Sequence, residues 1–102
     1  MLIPKEPTDL HRFIAKRRAE IPGLTQAKLA HAIGIKVGEY ISLVESGQRR
    51  IPLERVPRLA DALSVDRIWL IKWAFSEEYP LCYRLLFHDE ATKPGDVAQP
   101  IL

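Results

Sequence analysis

The chain has 102 residues and a formal net charge of +2, with 47% apolar and 27% charged residues. This length fits one small domain with a modest core, and the balance is that of an ordinary globular protein. The longest apolar runs are too short to cross a bilayer, and the N-terminus lacks the basic and apolar regions of a signal peptide. The single cysteine excludes an internal disulfide, so we expect a cytoplasmic protein.

Charge is distributed unevenly along the chain. Residues 1–58 carry eleven Lys and Arg against six Asp and Glu, whereas residues 59–102 carry four against seven. A basic N-terminal half would attract a polyanion such as nucleic acid. A merely solvated surface explains the same pattern, so charge alone leaves both interpretations open.

Helix-capping and helix-breaking residues, together with the spacing of apolar residues, predict the first two helices. We expect a flexible N-terminus over residues 1–7, because it holds two prolines, and a first helix capped by Thr8. The Ile-Pro-Gly sequence at 21–23 ends that helix. Thr25 is a good N-cap for a second helix, and Gly34 is a natural left-handed stop for it.

The rest of the chain also reads as helical, and we find no convincing strand pattern. A third helix is expected over residues 39–46, and a fourth begins within 53–57, either late or with an irregular first turn. Residues 64–66 cap a fifth helix, through either Ser64 or Asp66. A sixth runs over residues 80–88, and a flexible tail follows over 89–102.

Two short helices joined by a tight Gly-containing turn are typical of a helix-turn-helix unit, which makes sequence-specific DNA binding the first hypothesis. Several residues between Leu24 and Leu63 occur in the order expected of one large family. These residues are Thr25-Gln26, Leu29-Ala30, Gly34, Ile41, Glu45, Gly47, Pro52, Leu59-Ala60 and Leu63. On this basis the chain resembles the phage-repressor/Cro-like helix-turn-helix family, often called the Xre family.

The resemblance covers roughly residues 9–72 and implies an all-α, lambda-repressor-like fold. It implies a five-helix DNA-binding domain, which we place over residues 8–75. The residues that follow, 76–88, are expected from their own pattern to form a short aromatic-rich helical extension. The extension is also a candidate dimer interface.

The resemblance further implies how the chain contacts DNA. Gln26 matches a position that commonly contacts a phosphate, and a side-chain amide there adds a donor for an anion. Arg49 and Arg50 match a basic loop after the recognition helix, where guanidinium groups suit phosphate oxygens. Glu45 matches a structural position, and its carboxylate could hold Arg49, Arg50 or backbone amides. An ordinary solvated surface is the plainer explanation for the exposed residues.

The helix expected to read bases offers few hydrogen-bond donors. The candidate DNA-binding residues are Thr25, Gln26, Lys36, Val37, Gly38, Glu39, Tyr40, Ser42, Leu43, Arg49 and Arg50. Lys36 can reach a phosphate or guanine, and Glu39 and Ser42 can bond to base edges. Val37 or Leu43 can touch a thymine methyl, and Gly38 permits a close backbone approach. Alternatively, this helix reads sequence weakly or binds another protein.

Aromatic residues are concentrated near the C-terminus, where six of the eight fall between residues 69 and 87. Proteins of this fold commonly read two half-sites as dimers. We therefore expect a homodimer interface at Trp69, Trp73, Tyr79, Tyr83 and Phe87. The alternative is an enlarged intramolecular core, since aromatic residues often dominate cores.

No set of nucleophile, base and orienting residue can be named, and His11, His31 and His88 are far apart and lack metal-ligand spacing. We expect no enzyme activity, no metal and no cofactor. The leading hypothesis is a repressor-like transcriptional regulator that binds a double-stranded DNA operator as a homodimer. The alternatives are an antitoxin or accessory protein of the same fold, whose C-terminal part binds a partner protein, and an interaction module without a DNA function.

Overall fold

A computed structural model describes residues 9–87 of the chain. These residues form α1 (Asp9–Glu20), α2 (Gln26–Ala32), α3 (Tyr40–Glu45), α4 (Val56–Leu63), α5 (Arg67–Glu78) and α6 (Pro80–Leu86), with a 3-10 turn at Leu53–Arg55. The all-α fold class predicted from the sequence is confirmed. The predicted Thr8 cap and both segments expected to be flexible lie outside the described residues. Among the helices described, none is long and apolar enough to cross a membrane.

The ends of α2 are formed by residues whose chemistry suits them. The Thr25 hydroxyl accepts a hydrogen bond from the Lys28 amide at 3.1 Å, which confirms the predicted N-cap. After α2 the backbone turns at Gly34, where φ is +81°. The Arg55 guanidinium closes over this turn and donates to the Ile33 carbonyl at 2.7 Å. A Cβ at Gly34 would lie 2.7 Å from that guanidinium, so both conformation and space favour glycine.

The entry to α4 is irregular, as one of the two predicted possibilities required. The 3-10 turn leads directly into α4, and Pro57 lies in the first turn of the helix, where its missing N–H costs nothing. Ser64 ends α4 in the left-handed conformation, with φ of 57°. The Asp66 carboxylate then accepts from the Trp69 amide at 2.8 Å, so Asp66 is the cap of α5.

One hydrophobic core joins α1 to α5. Its residues are Phe13, Ile14, Leu29, Ala30, Ile33, Ile41, Val44, Ile51, Val56, Leu59, Ala60, Leu63, Val65, Trp69, Leu70, Trp73 and Ala74. The stripes of α3 and α4 contribute Ile41, Val44, Leu59 and Leu63, each almost fully buried. Burial of such stripes, more than helix propensity, holds these short helices in place.

An aromatic cluster corrects the predicted dimer interface. The rings of Phe13, Trp69 and Trp73 meet with centroids 5.2–5.4 Å apart, because positions 69 and 73 share the face of α5 that packs on α1. Trp69, Trp73 and Tyr83 are only 9%, 3% and 7% exposed. These three rings are buried within their own chain, so assigning them to a surface between two copies was wrong. Of the five predicted residues, only Tyr79 is exposed.

The last helix folds back along α5. The Lys72 ammonium lies 4.7 Å from the centroid of the Phe87 ring, which places the end of α6 beside the middle of α5. Phe87 is half-buried and packs on Tyr83, with centroids 4.9 Å apart. The predicted division after residue 75 falls inside α5, which continues to Glu78. The sixth helix therefore packs as part of the same body as the helices before it.

Candidate nucleic-acid interface

The helix-turn-helix unit is held together by a network of three polar side chains. Glu45, at the end of α3, accepts from Arg18 Nε at 2.5 Å and from Arg18 Nη2 at 3.3 Å. The same carboxylate accepts from Gln26 Nε2 at 2.9 Å. Arg18 Nη1 also donates to the Leu24 carbonyl at 3.1 Å. The network fixes the start of α2, the end of α3 and the end of α1 relative to one another.

This network corrects the predicted role of Glu45. The carboxylate was expected to hold Arg49, Arg50 or backbone amides, but it pairs with Arg18 and Gln26. Gln26 is thereby positioned before any ligand arrives. A carboxamide nitrogen carries two N–H groups, so the second can still donate to a phosphate.

The loop after α3 is tied to that helix at both ends. The backbone amides of Gln48 and Arg49 donate to the Leu43 carbonyl at 2.8 and 3.2 Å. At the other end, the Tyr40 hydroxyl donates to the Arg50 carbonyl at 2.5 Å. Tyr40 is a predicted DNA contact, and its hydroxyl also braces the loop. These bonds bring the predicted basic loop alongside the predicted recognition helix.

Most of the predicted DNA-binding residues lie on the surface of this unit. The exposed ones are Thr25, Lys36, Val37, Gly38, Glu39, Ser42, Arg49 and Arg50, and the half-buried ones are Gln26, Tyr40 and Leu43. Val37 is 65% exposed, so its apolar side chain is available to a partner. On α3 itself, Ile41 and Val44 face the core, which leaves Ser42 and Leu43 to face outward.

The charge of this surface favours an anionic partner. Lys28, Lys36, Arg49 and Arg50 are all exposed within the segment from α2 to the loop. Against these four cations stand one exposed carboxylate, Glu39, and the paired carboxylate described above. The unit thus presents a local excess of positive charge, as the N-terminal half of the sequence predicts.

Arg49 and Arg50 lie near different groups. Burial raises the pKa of the Tyr40 hydroxyl, and the neighbouring charges of Arg49 and Arg55 oppose that rise. Arg49 therefore lies near α3. Arg50 instead lines a cavity together with residues of α1 and α5.

Three arginines have structural roles that the sequence did not reveal. Arg17 Nε donates to the Leu63 carbonyl at 2.7 Å, joining α1 to the end of α4. Arg18 and Arg55 hold Glu45 and the Gly34 turn, as described above. Their partners are 46, 27 and 22 residues distant in sequence, so local spacing contains no signal for them.

Two short helices joined at a glycine turn, with a cationic loop after the second, define a helix-turn-helix DNA-binding domain. A family model described as helix-turn-helix matches residues 14–70, which is more than half of the chain. The chain belongs to this helix-turn-helix family, and the resemblance to the Xre family is confirmed. It is a DNA-binding regulator of this general class. Comparisons with curated proteins and with solved structures found no match.

Proposed function

We propose that the protein is a sequence-specific transcriptional repressor that acts in the cytoplasm and binds an operator as a homodimer. The observation that carries this proposal is the prepositioned α2–α3 unit. Its Arg18–Glu45–Gln26 network is formed within the free chain, and Arg49 stands exposed beside it. A surface already in its binding geometry loses little conformational entropy when it binds.

The proposed contacts fall into two groups. Gln26, Lys36 and Arg49 bond to phosphates and set the position of the protein on the duplex. The exposed side of α3 enters the major groove, where Ser42 bonds to a base edge. Val37 packs against a thymine methyl, which accounts for its exposure.

The proposed dimer surface is the outer side of α6 and the neighbouring start of α5. Its exposed apolar residues are Ile68, Tyr79, Leu81, Leu85 and Leu86, each 45–69% exposed. Leu81 and Leu85 are four residues apart and share one side of the helix. An apolar surface of this kind favours association over solvation. It replaces the buried tryptophans as the candidate interface.

A selection from random duplexes tests the proposal. We expect enrichment of a palindrome whose half-sites lie about 10–10.5 base pairs apart, because a two-fold dimer reads the same sequence twice. Ser42→Ala should relax the preference at one position of each half-site, whereas Arg49→Ala should weaken binding to all sequences similarly. Arg67→Ala, which removes one exposed charge elsewhere, serves as the matched control. Failure to enrich any sequence contradicts the proposal.

A second candidate function is that of an antitoxin or accessory protein that binds a partner through α6. The exposed leucines of α6 and the shortage of donors on α3 favour it. The two functions differ in what Leu85→Glu abolishes. It should abolish self-association and operator binding if the chain is a dimeric repressor. If the second function is correct, the natural chain is already a monomer, and Leu85→Glu should leave it monomeric. The same substitution should then abolish capture of the partner protein.

A further inference from the structure

A cavity of about 270 Å³ opens between α1, the loop after α3, α4 and α5. Its walls include Ile14, Val44, Leu59 and Leu70, each at most 2% exposed. The volume corresponds to about nine water molecules at roughly 30 Å³ each. The size and lining suit a compact ligand with an apolar part.

Charged groups of both signs line the same cavity. Arg50, from the loop, and Glu77 and Glu78, at the end of α5, all belong to its lining. Arg50 is exposed and the two glutamates are half-buried, so these groups form the open side of the cavity. The Trp73 indole donates to Glu77 Oε2 at 3.1 Å and fixes the position of that carboxylate.

The fourth polar residue of the cavity, His11, lies on α1 and is 8% exposed. Burial lowers the pKa of His11, while the charge of Glu77 opposes and that of Arg50 adds to this effect. The imidazole is therefore neutral near pH 7, and it adds no charge to the cavity. The charged lining then consists of one cation and two anions.

We propose that this cavity binds a small zwitterion, an α-amino acid with a compact apolar side chain. Its carboxylate pairs with Arg50, its ammonium group pairs with Glu77 and Glu78, and its side chain fills the apolar part. A ligand with only a carboxylate would place a third negative charge beside Glu77 and Glu78, and one with only an ammonium group would place a second positive charge beside Arg50. The zwitterion matches both signs of the lining.

The site would also act on DNA binding, and this step rests on the proposed function. Arg50 belongs to the same short loop as Arg49, and its carbonyl is bonded to Tyr40. A carboxylate bound at Arg50 removes one positive charge from the loop beside the phosphates. The bound ligand should therefore lower the affinity for DNA, and DNA should lower the affinity for the ligand equally.

Calorimetric titration of the full chain without DNA tests the site. The probes are leucine, 3-methylbutylamine, which lacks the carboxylate, and 4-methylpentanoate, which lacks the ammonium group. We expect leucine to bind roughly tenfold or more tightly than either analogue, because each analogue loses a charge-assisted hydrogen bond. Arg50→Gln should weaken leucine binding to the level of the amine, and the double substitution of Glu77→Gln with Glu78→Gln to that of the carboxylate. The matched control Arg67→Gln should bind leucine as the natural chain does.

Absence of leucine binding, or binding of one analogue as tightly as leucine, would overturn the proposed site. Urea unfolding of each variant shows that it is folded, so a loss of binding is not a loss of structure. A titration of duplex DNA with and without saturating leucine separates the two proposals. A failure of DNA binding under both conditions refutes the proposed function and leaves the site standing. Equal DNA affinity under both conditions refutes only the proposed effect of the ligand on DNA binding.

Discussion

Glu45→Gln tests the network that fixes α2 against α3. The Glu45 side chain is 10% exposed, that of Arg18 is 20% exposed, and the carboxylate accepts three hydrogen bonds from Arg18 and Gln26. A hydrogen bond to a charged group contributes about 1.5–3 kcal/mol, and breaking a buried ion pair costs about 3–5 kcal/mol. Arg18 keeps some solvent contact and its bond to a backbone carbonyl. We therefore expect a loss near the lower figure, about 2 kcal/mol.

The assay is urea unfolding followed by tryptophan fluorescence, since both tryptophans are buried in the folded chain. A loss of about 2 kcal/mol corresponds to a fall in melting temperature of about 8–16 °C for a domain of this size. Glu20→Gln is the matched control, because Glu20 is 47% exposed and pairs with Arg17 at 3.3 Å on the surface of α1. Such a pair contributes at most about 1 kcal/mol.

A double-mutant cycle with Arg18→Met separates the interaction energy between Arg18 and Glu45 from the other effects of Glu45→Gln. We expect a coupling energy of about 1–3 kcal/mol between Arg18 and Glu45. Equal losses for Glu45→Gln and Glu20→Gln, together with a coupling energy near zero, would refute the reasoning. The network would then be an ordinary surface ion pair, and α2 would be held by its apolar contacts alone.

Three further predictions concern separate parts of the molecule. Gly34→Ala should lower the free energy of unfolding by about 2 kcal/mol, and Gly23→Ala by only about 1. Both glycines have positive φ, but a Cβ at Gly34 would also displace the end of the Arg55 side chain and break its hydrogen bond to the Ile33 carbonyl, whereas a Cβ at Gly23 meets no atom within 4 Å. Equal losses for the two substitutions contradict this reasoning. Burial lowers the pKa of His11, so its contribution to stability is complete above about pH 6.5 and is lost as the pH falls through the folded-state pKa. His11→Gln should therefore flatten the acid side of the stability profile, and an unchanged slope argues against it. Leu85→Glu should shift the molar mass in solution from dimer to monomer, whereas the exposed neighbour substitution Cys82→Ser should leave a dimer.

The ends of the helices could be predicted because their signals are local. Thr25 caps α2 through an amide three residues away, and Gly34 and Gly47 adopt positive φ at the ends of two helices. Ser64 and Asp66 were both good caps by residue type, and the sequence alone left the choice open. The structure assigns Ser64 to the end of α4 and Asp66 to the start of α5, because the backbone conformation differs between them.

Long-range partners could not be predicted in the same way. Nothing near Glu45 in the sequence points to Arg18 on α1. The partners expected from the sequence were Arg49, Arg50 and backbone amides, which all lie nearer along the chain. The buried tryptophans illustrate the same limit, since the spacing of Trp69 and Trp73 shows that they share a face but not what covers it. Phe13 covers both rings. The different neighbours of Arg49 and Arg50 likewise depend on packing that adjacent positions in the sequence do not reveal.

The salt dependence of DNA binding tests the central claim that Arg49 and Lys36 contact phosphates. Affinity for one duplex is measured by fluorescence anisotropy at several salt concentrations. A dimer in which both residues of each protomer neutralise phosphates should give a slope of log affinity against log salt of about −3.6. Arg49→Ala should bring this slope to about −1.8, and Arg67→Ala should leave it unchanged. An Arg49→Ala slope equal to that of the natural chain would contradict the account.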